Sequence, residues 1–294
     1  MSGDGNVDTG PIVPPADVLK TAEVSTPPVT PQAEAAKPAA PEKPNKEQLF
    51  TQLEESLGNF SQFTRTRAQN IEETIQEAGS LVVPLFDFGA SADLATRALG
   101  PITDSRSHDI SVLLNQAKNI SLEEHDNVER MFGQTGIARR TSELIRDESN
   151  NDRFDQILAR LKEAEGSTDE VERAAGIDAA KAGIAQIMTD IAHEGNKVVL
   201  DFANFKDGSE NNVHRFRSRA EEVYQMVPAI RERLEDSYLA IRNNVDNMLS
   251  LVQAYRGRTS RLESVPLEFK LINNEANRMG ITVDEILEAI KAAK

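Results

Sequence analysis

Cysteine and tryptophan are absent from the 294 residues, and only three tyrosines occur. The lack of cysteine excludes disulfide frameworks, thiolate zinc sites and thiol nucleophiles, and it is compatible with a reducing compartment. Few aromatic residues and only 16 glycines are atypical of a β-sandwich, which needs many turns and aromatic core positions. The composition therefore favours an all-α fold.

Positive charge is also scarce, with 33 Lys and Arg against 48 Asp and Glu and a formal net charge of −15. Binding to nucleic acid requires clustered cations, so we expect no nucleic-acid partner. No window of the sequence approaches the roughly 18 apolar residues of a membrane span, and the first ten residues lack the features of a secretory signal. We expect a soluble, cytoplasmic protein.

Catalytic and cofactor motifs each fail at a defined position. His193 begins an apparent H-E-x-x-H zinc motif, but Lys197 occupies the position of the second histidine. The segment 89–93 approximates G-x-S-x-G without its last glycine, and no glycine-rich phosphate loop occurs. The stretch 147–158 lacks the glycine and the final glutamate of a calcium-binding loop. We therefore predict no enzymatic activity, no cofactor and no metal site.

Nine of the 13 prolines lie within the first 46 residues, where helices and strands cannot propagate. We interpret residues 1–46 as a disordered, Pro/Ala-rich tail or tether. Its P-x-x-P spacings could alternatively dock into an aromatic groove of a partner.

Residues 47–262 are predicted to form a long antiparallel helical bundle. Apolar residues recur every three or four positions over 47–83, and Pro84 is expected to end this first helix. Residues 104–165 are expected to form helical segments interrupted near Gly133, Gly136 and the Asn150–Asn151 pair. Short joints at 165–168 and 206–209 should reverse the chain, which places the flanking helices side by side.

The strongest periodicity covers residues 213–255, where the mean spacing of apolar positions is about 3.5 residues, as in a coiled coil. We predict one helix over about 210–262 that either kinks at Pro228 or begins a second segment there, and the continuous apolar face favours the kink. Its central seam consists of Val223, Val227, Ile230, Leu234, Tyr238, Ile241, Val245, Met248 and Val252. Residues 263–294 are predicted to form a small helical hairpin that starts near Pro266 and turns at Gly280.

The most apolar run, LVVPLFDF, spans residues 81–88 at the start of a predicted loop over 81–99. An apolar run in a loop is typical of a contact surface. The candidate interaction residues are Leu81, Val82, Val83, Leu85, Phe86 and Phe88.

These patterns predict an all-α fold, an elongated antiparallel helical bundle with coiled-coil packing. The main hypothesis is a non-enzymatic structural, assembly or scaffold protein that contacts protein partners or forms a homo-oligomer. One alternative is a peripheral membrane-associated protein that uses the apolar 81–99 loop, although membrane contact is not favoured. A second is a carboxylate-based metal-binding stress protein, for which the pair Asp190 and His193 lacks a matching element elsewhere.

Overall fold

A computed structural model describes residues 44–100, 105–234 and 237–293. Within these ranges the regular elements are all helical. They are α1 (Lys46–Leu99), α2 (Ser105–Phe132), α3 (Ile137–Glu148), α4 (Asn151–Glu165), α5 (Glu170–Met226), α6 (Arg231–Leu234), α7 (Ser237–Thr259) and α8 (Ser264–Ala292), with 3₁₀ turns at Val227–Ile230 and Ser260–Glu263. The predicted all-α fold is confirmed.

The described helices pack as four antiparallel rods: α1, the segments α2 to α4, α5, and the pair α7 and α8. The first and third rods each pack against both the second and the fourth. α5 alone has 57 residues and is therefore about 85 Å long at 1.5 Å per residue. The antiparallel bundle is confirmed, whereas coiled-coil packing of its seams stays a prediction.

The start of α1 follows the sequence prediction closely. Asn45 caps the helix, and its side chain and that of Gln48 exchange hydrogen bonds of 2.8 Å with each other's backbone N–H groups. Such a capping box satisfies two amides that the first helical turn leaves without partners. The predicted tail over 1–46 lies outside the described residues except at its last three positions.

Pro84 does not end α1, and the predicted loop over 81–99 is wrong. Proline has no N–H, so the carbonyl of Ser80 receives no hydrogen bond from its own helix. The guanidinium of Arg258 on α7 donates to this carbonyl oxygen instead, at 2.9 Å. Leu81 and Leu85, on either side of Pro84, are buried in the core. Core packing on both sides and the bond from Arg258 therefore keep the helix continuous.

The predicted turn at 206–209 is also wrong, because α5 runs through it without interruption. Phe205 and Phe216 are buried on the same face, and the core-facing positions between them include the polar residues Ser209 and Asn212. The face is thus continuous although it is not continuously apolar. Its burial outweighs the roughly 1 kcal/mol by which Gly208 disfavours a helix.

The predicted single helix over 210–262 is instead two helices that meet at a chain reversal. The 3₁₀ turn Val227–Ile230 contains Pro228 near its start, and α7 then runs antiparallel to α5. Arg242 of α7 donates to the hydroxyl of Tyr224 on α5 at 2.9 Å, and Lys206 pairs with Glu263 at 2.8 Å. The seam residues are therefore divided between two rods. All are buried except Leu234, whose side chain lies outside the described part.

The predicted C-terminal hairpin over 263–294 is wrong, because α8 is one helix of 29 residues. Pro266 lies in its first turn, as expected, but Gly280 lies in its interior. Met279 and Val283 are buried on either side of Gly280, whereas a Cβ at Gly280 would meet nothing within 4 Å. The glycine is on the surface, so the core-facing side continues past it. α8 packs along α1 and α5 and belongs to the same compact unit.

Other predicted boundaries are confirmed. The second rod is interrupted after Phe132 and again at Ser149 and Asn150. The chain reverses after Glu165, as predicted, and Asp169 caps α5 by accepting a 2.9 Å hydrogen bond from the amide of Val171.

Candidate functional site

The six candidate interaction residues fall on different sides of α1. Leu81, Leu85 and Phe88 are buried, and Val82 is half-buried and packs against the core. Val83 and Phe86 are 60% and 58% exposed. A helix that continues through Pro84 separates the run in this way, because residues three or four apart share a face and adjacent residues do not.

The exposed members belong to a longer apolar stripe. Val83, Phe86, Ala90 and Leu94 are spaced by three or four residues along α1 and are all exposed, Leu94 at 55%. We call these four residues the outer stripe. Isolated apolar residues on a protein surface are ordinary, but four in register over three helical turns form a contiguous patch.

A shallow groove of about 260 Å³ separates the outer stripe from α2. The ring of Phe86 lies 4.9 Å from the ring of His125, and Leu122, which is 48% exposed, also lines the groove. Ser121 donates to the carbonyl of Leu85. The apolar surface therefore extends from α1 onto α2.

An ion pair lies at one end of this groove. Lys118 on α2 donates to the carboxylate of Asp93 on α1 at 2.9 Å, and Arg97 approaches the same carboxylate at 2.7 Å. The hydrogen bond from Lys118 is the main reason why the pKa of Asp93 is lowered from its usual value. Both partners are partly exposed, so this pair contributes little to stability.

A buried polar network joins three of the four rods. Glu124 of α2 is 2% exposed, and its carboxylate accepts hydrogen bonds from the Tyr255 hydroxyl at 2.5 Å, from Asn212 Nδ2 at 3.0 Å and from Asn127 Nδ2 at 3.3 Å. All three groups can donate to an ionised carboxylate, whose oxygens only accept. The arrangement therefore fits the charged form of Glu124.

Two arginines outside the core act on this carboxylate through the asparagines. Arg215 donates to Asn212 Oδ1 at 3.2 Å, and Arg130 donates to Asn127 Oδ1 at 3.0 Å. Each asparagine amide thus accepts a hydrogen bond from an arginine and donates one to Glu124. The amide dipole is therefore aligned with the electric field between the arginine and the carboxylate. The negative charge of Glu124 is stabilised without a cation in direct contact among the described residues.

Aromatic residues enclose the network. Phe88 stacks on Phe216 at 4.7 Å, and its ring lies 6.2 Å from that of Tyr255. Burial, followed by the nearby charge of Glu124, raises the pKa of Tyr255 far above its usual value of 10.0. The network specifies how α2, α5 and α7 align, because a shifted register would leave a buried charge without donors.

Sequence reasoning did not place Glu124, Asn212 and Ser209 in the core, where all three are buried. A signal was present, since each lies at a position where the apolar face of its helix would continue: Glu124 is three residues after the buried Ser121 and four before the buried Val128. A polar residue at such a position is either exposed by a break in the helix or satisfied inside the core. Only the contacts of the folded chain distinguish these two cases.

The described residues show no grouping that suits a metal. Among them, no three His, Asp or Glu side chains come together in a way that could hold an ion. Asp190 accepts a 2.8 Å hydrogen bond from Gln186 on its own helix. No observation therefore favours the metal-binding alternative.

One helix meets the length and composition of a membrane span. α1 contains an 18-residue window with a mean hydropathy of 1.2, and 44% of that window is buried against other helices. The expectation that no window is apolar enough to span a membrane is therefore wrong. A core helix of a water-soluble bundle can have the same length and hydropathy.

Comparison with known proteins identifies no family for this chain. No protein-family model matches the sequence, and no curated protein matches it. Among solved structures, the chain is similar to the haptoglobin-hemoglobin receptor of Trypanosoma congolense, with 10% identity over 84% of this chain and 97% of that one, and a TM-score of 0.22. A similarity at this level carries no argument about function.

Proposed function

We propose that this chain is a non-enzymatic assembly or scaffold protein whose helical bundle makes protein–protein contacts through the outer stripe. The observation that carries the proposal is the exposure of Val83, Phe86 and Leu94 on one face of α1, beside the exposed Leu122. The opposite face of the same helix is buried in the core, so the bundle packs without using the outer stripe.

Covering the stripe would provide a substantial driving force. Burying one side chain of the size of Val, Leu or Phe contributes roughly 1.5–3 kcal/mol relative to full exposure. These residues are already partly covered, so each would contribute less than that. Together these residues would form the apolar centre of a contact with a protein partner, and a second copy of the chain is the partner that is simplest to test.

The test replaces two residues of the stripe by serine. We expect the parent to self-associate in light scattering coupled to size exclusion at about 100 µM, and Val83→Ser combined with Phe86→Ser to shift it to monomer. The control is Leu200→Ser combined with Leu239→Ser, because these residues are 68% and 66% exposed and lie outside the stripe. A parent that stays monomeric, or a control that dissociates equally, would contradict the proposal for self-association.

The membrane alternative uses the same stripe, which lies on the helix that contains the apolar window. In this case Phe86 and Leu94 would insert into a lipid surface as side chains of a helix, rather than as a loop. Cosedimentation with vesicles distinguishes the alternatives. Pelleting of the parent with neutral and anionic vesicles, reduced by Phe86→Ser, would support membrane contact, and no lipid-dependent pelleting would exclude it.

A further inference from the structure

A second concave surface lies on another part of the bundle, between α5 and the junction of α7 with α8. It is a groove of about 440 Å³. Its floor is formed by Phe202 and Phe205, which are buried and pack edge-on against Phe132 at 6.2 and 5.2 Å between ring centroids. The floor is therefore aromatic and held rigidly by the core.

The groove exists because two core-facing positions carry small residues. On α5, Ser209 lies between the buried Phe205 and Phe216. On the fourth rod, Thr259 lies between the buried Tyr255 and Leu262. Both small residues line the groove, so side-chain bulk is missing from both helices at the same level.

Charged residues stand at the rim. Lys206 and Glu263 form an ion pair at 2.8 Å across the groove, and this hydrogen bond raises the pKa of Lys206. Arg256 also lines the groove, yet its guanidinium makes no hydrogen bond or ion pair with any described residue. Glu210 is exposed on the α5 side of the groove and would repel a negatively charged ligand group. Such a group is therefore attracted to the opposite side, where Arg256 lies.

We propose that this groove binds a small organic anion with a flat apolar body, the anionic group paired with Arg256 and the body lying on Phe202 and Phe205. Its volume is within the range of about 300–1,000 Å³ that small-molecule sites occupy. The guanidinium is a planar donor that matches a carboxylate in two parallel hydrogen bonds. The hydroxyls of Ser209 and Thr259 are engaged within the bundle, with Tyr255 and with the carbonyls of Tyr255 and Arg256, so Arg256 is the donor that this site offers to the anionic group.

The test uses 2-naphthoate as the probe, titrated into the full chain by isothermal calorimetry. We expect saturable binding at one site per chain. The amine of the same shape, 2-naphthylmethylammonium, should bind at least about tenfold more weakly, a difference of about 1.4 kcal/mol, because it places a cation beside Arg256. Absence of saturable naphthoate binding up to about 5 mM, or equal affinity for the two probes, would overturn the proposal.

Two variants locate the site. Arg256→Gln should weaken naphthoate binding at least about tenfold, while Arg160→Gln on α4, which removes an exposed arginine with no partner among the described residues, should leave it unchanged. Thr259→Leu fills the groove and should weaken binding of naphthoate and of uncharged 2-naphthylmethanol alike. If Arg256→Gln binds naphthoate as the parent does, the probe is bound elsewhere and the assignment is wrong.

Discussion

At the scale of single residues, the most informative side chain is Glu124. A buried carboxylate is tolerated only when its oxygens receive enough hydrogen bonds to replace water. Here a tyrosine and two asparagines supply them from α2, α5 and α7. Removing any one of the three donors leaves the buried carboxylate with fewer hydrogen bonds to compensate its charge. Each donor should therefore contribute more to the free energy of unfolding than a donor to a neutral group does.

The hydroxyl of Tyr255 gives a prediction that depends on pH. Tyr255→Phe removes the hydrogen bond to Glu124, and we expect a loss of roughly 1.5–3 kcal/mol in the free energy of unfolding near pH 7. Because folding raises the pKa of Tyr255 above its usual value of 10.0, the contribution of its protonated form is complete below pH 10 and decreases as the pH rises.

The stability difference between parent and Tyr255→Phe should therefore narrow above about pH 10, by up to about 1.4 kcal/mol per pH unit. Urea unfolding followed by circular dichroism between pH 8 and pH 11 measures this difference. Two stability curves that run parallel over the whole interval would contradict the assigned environment of the hydroxyl.

At the scale of elements, α1 shows how a helix accommodates an internal proline. Pro84 leaves the carbonyl of Ser80 without a helical donor, and Arg258 supplies one from the neighbouring rod. The residue that compensates for the proline is thus 174 positions away in the sequence. A helix end predicted from proline alone cannot take such a contact into account.

A double-mutant cycle tests this compensation. Arg258→Met should reduce the free energy of unfolding by about 0.5–1.5 kcal/mol in the parent, since Ser80 loses its donor. In a Pro84→Ala background the restored N–H bonds to Ser80, and the same change should have almost no effect. The coupling between the two sites is read from urea unfolding of the four proteins.

The control for this cycle is Arg256→Met, which removes an arginine from the same helix end without touching Ser80. Its effect should be the same with proline or alanine at position 84. Equal effects of Arg258→Met in both backgrounds would show that the contact with Ser80 is not what offsets the proline.

Helix faces could be predicted from the sequence, but the positions where the chain reverses could not. The seam from Val213 to Tyr255 is apolar both in α5 and in the antiparallel α7, so its spacing gives no sign that the chain reverses between these helices. Gly208 and Gly280 were interpreted as helix ends because glycine has a low helix propensity. The packing that keeps both helices continuous cannot be read from the sequence. Burial of the opposite face decides these cases, and it depends on the other rods.

The candidate sites were predictable to different degrees. The run 81–88 was identified by composition, but only helical geometry separates the exposed Val83 and Phe86 from the buried Leu85 and Phe88. The groove over Phe202 was not foreseen. It results from missing bulk at Ser209 and Thr259, which are 50 residues apart and meet only in the folded bundle.

At the scale of the whole molecule, stability depends on one core that runs through all four rods. Ile241 is 0% exposed within it, whereas Leu239, two residues earlier on α7, is 66% exposed. These two aliphatic residues form a matched pair for testing the orientation of α7.

Ile241→Asp should reduce the free energy of unfolding by roughly 3–5 kcal/mol, because it places an unpaired charge in the core. Leu239→Asp should change it by less than about 0.5 kcal/mol, as expected for a surface substitution. Thermal unfolding followed by circular dichroism compares the two variants. Equal melting temperatures would mean that the face of α7 has been assigned incorrectly.

The pairing of the first rod with the last has a consequence for biosynthesis. Arg67 of α1 forms a 3.1 Å ion pair with Glu268 of α8, 201 residues later. At 5–20 residues per second a ribosome needs roughly 10–40 s to make that interval. For most of this time the surface of α1 that packs against α8 lacks that partner. We expect the surface to be covered by transient contacts with α2, or by a chaperone, until α8 has been made.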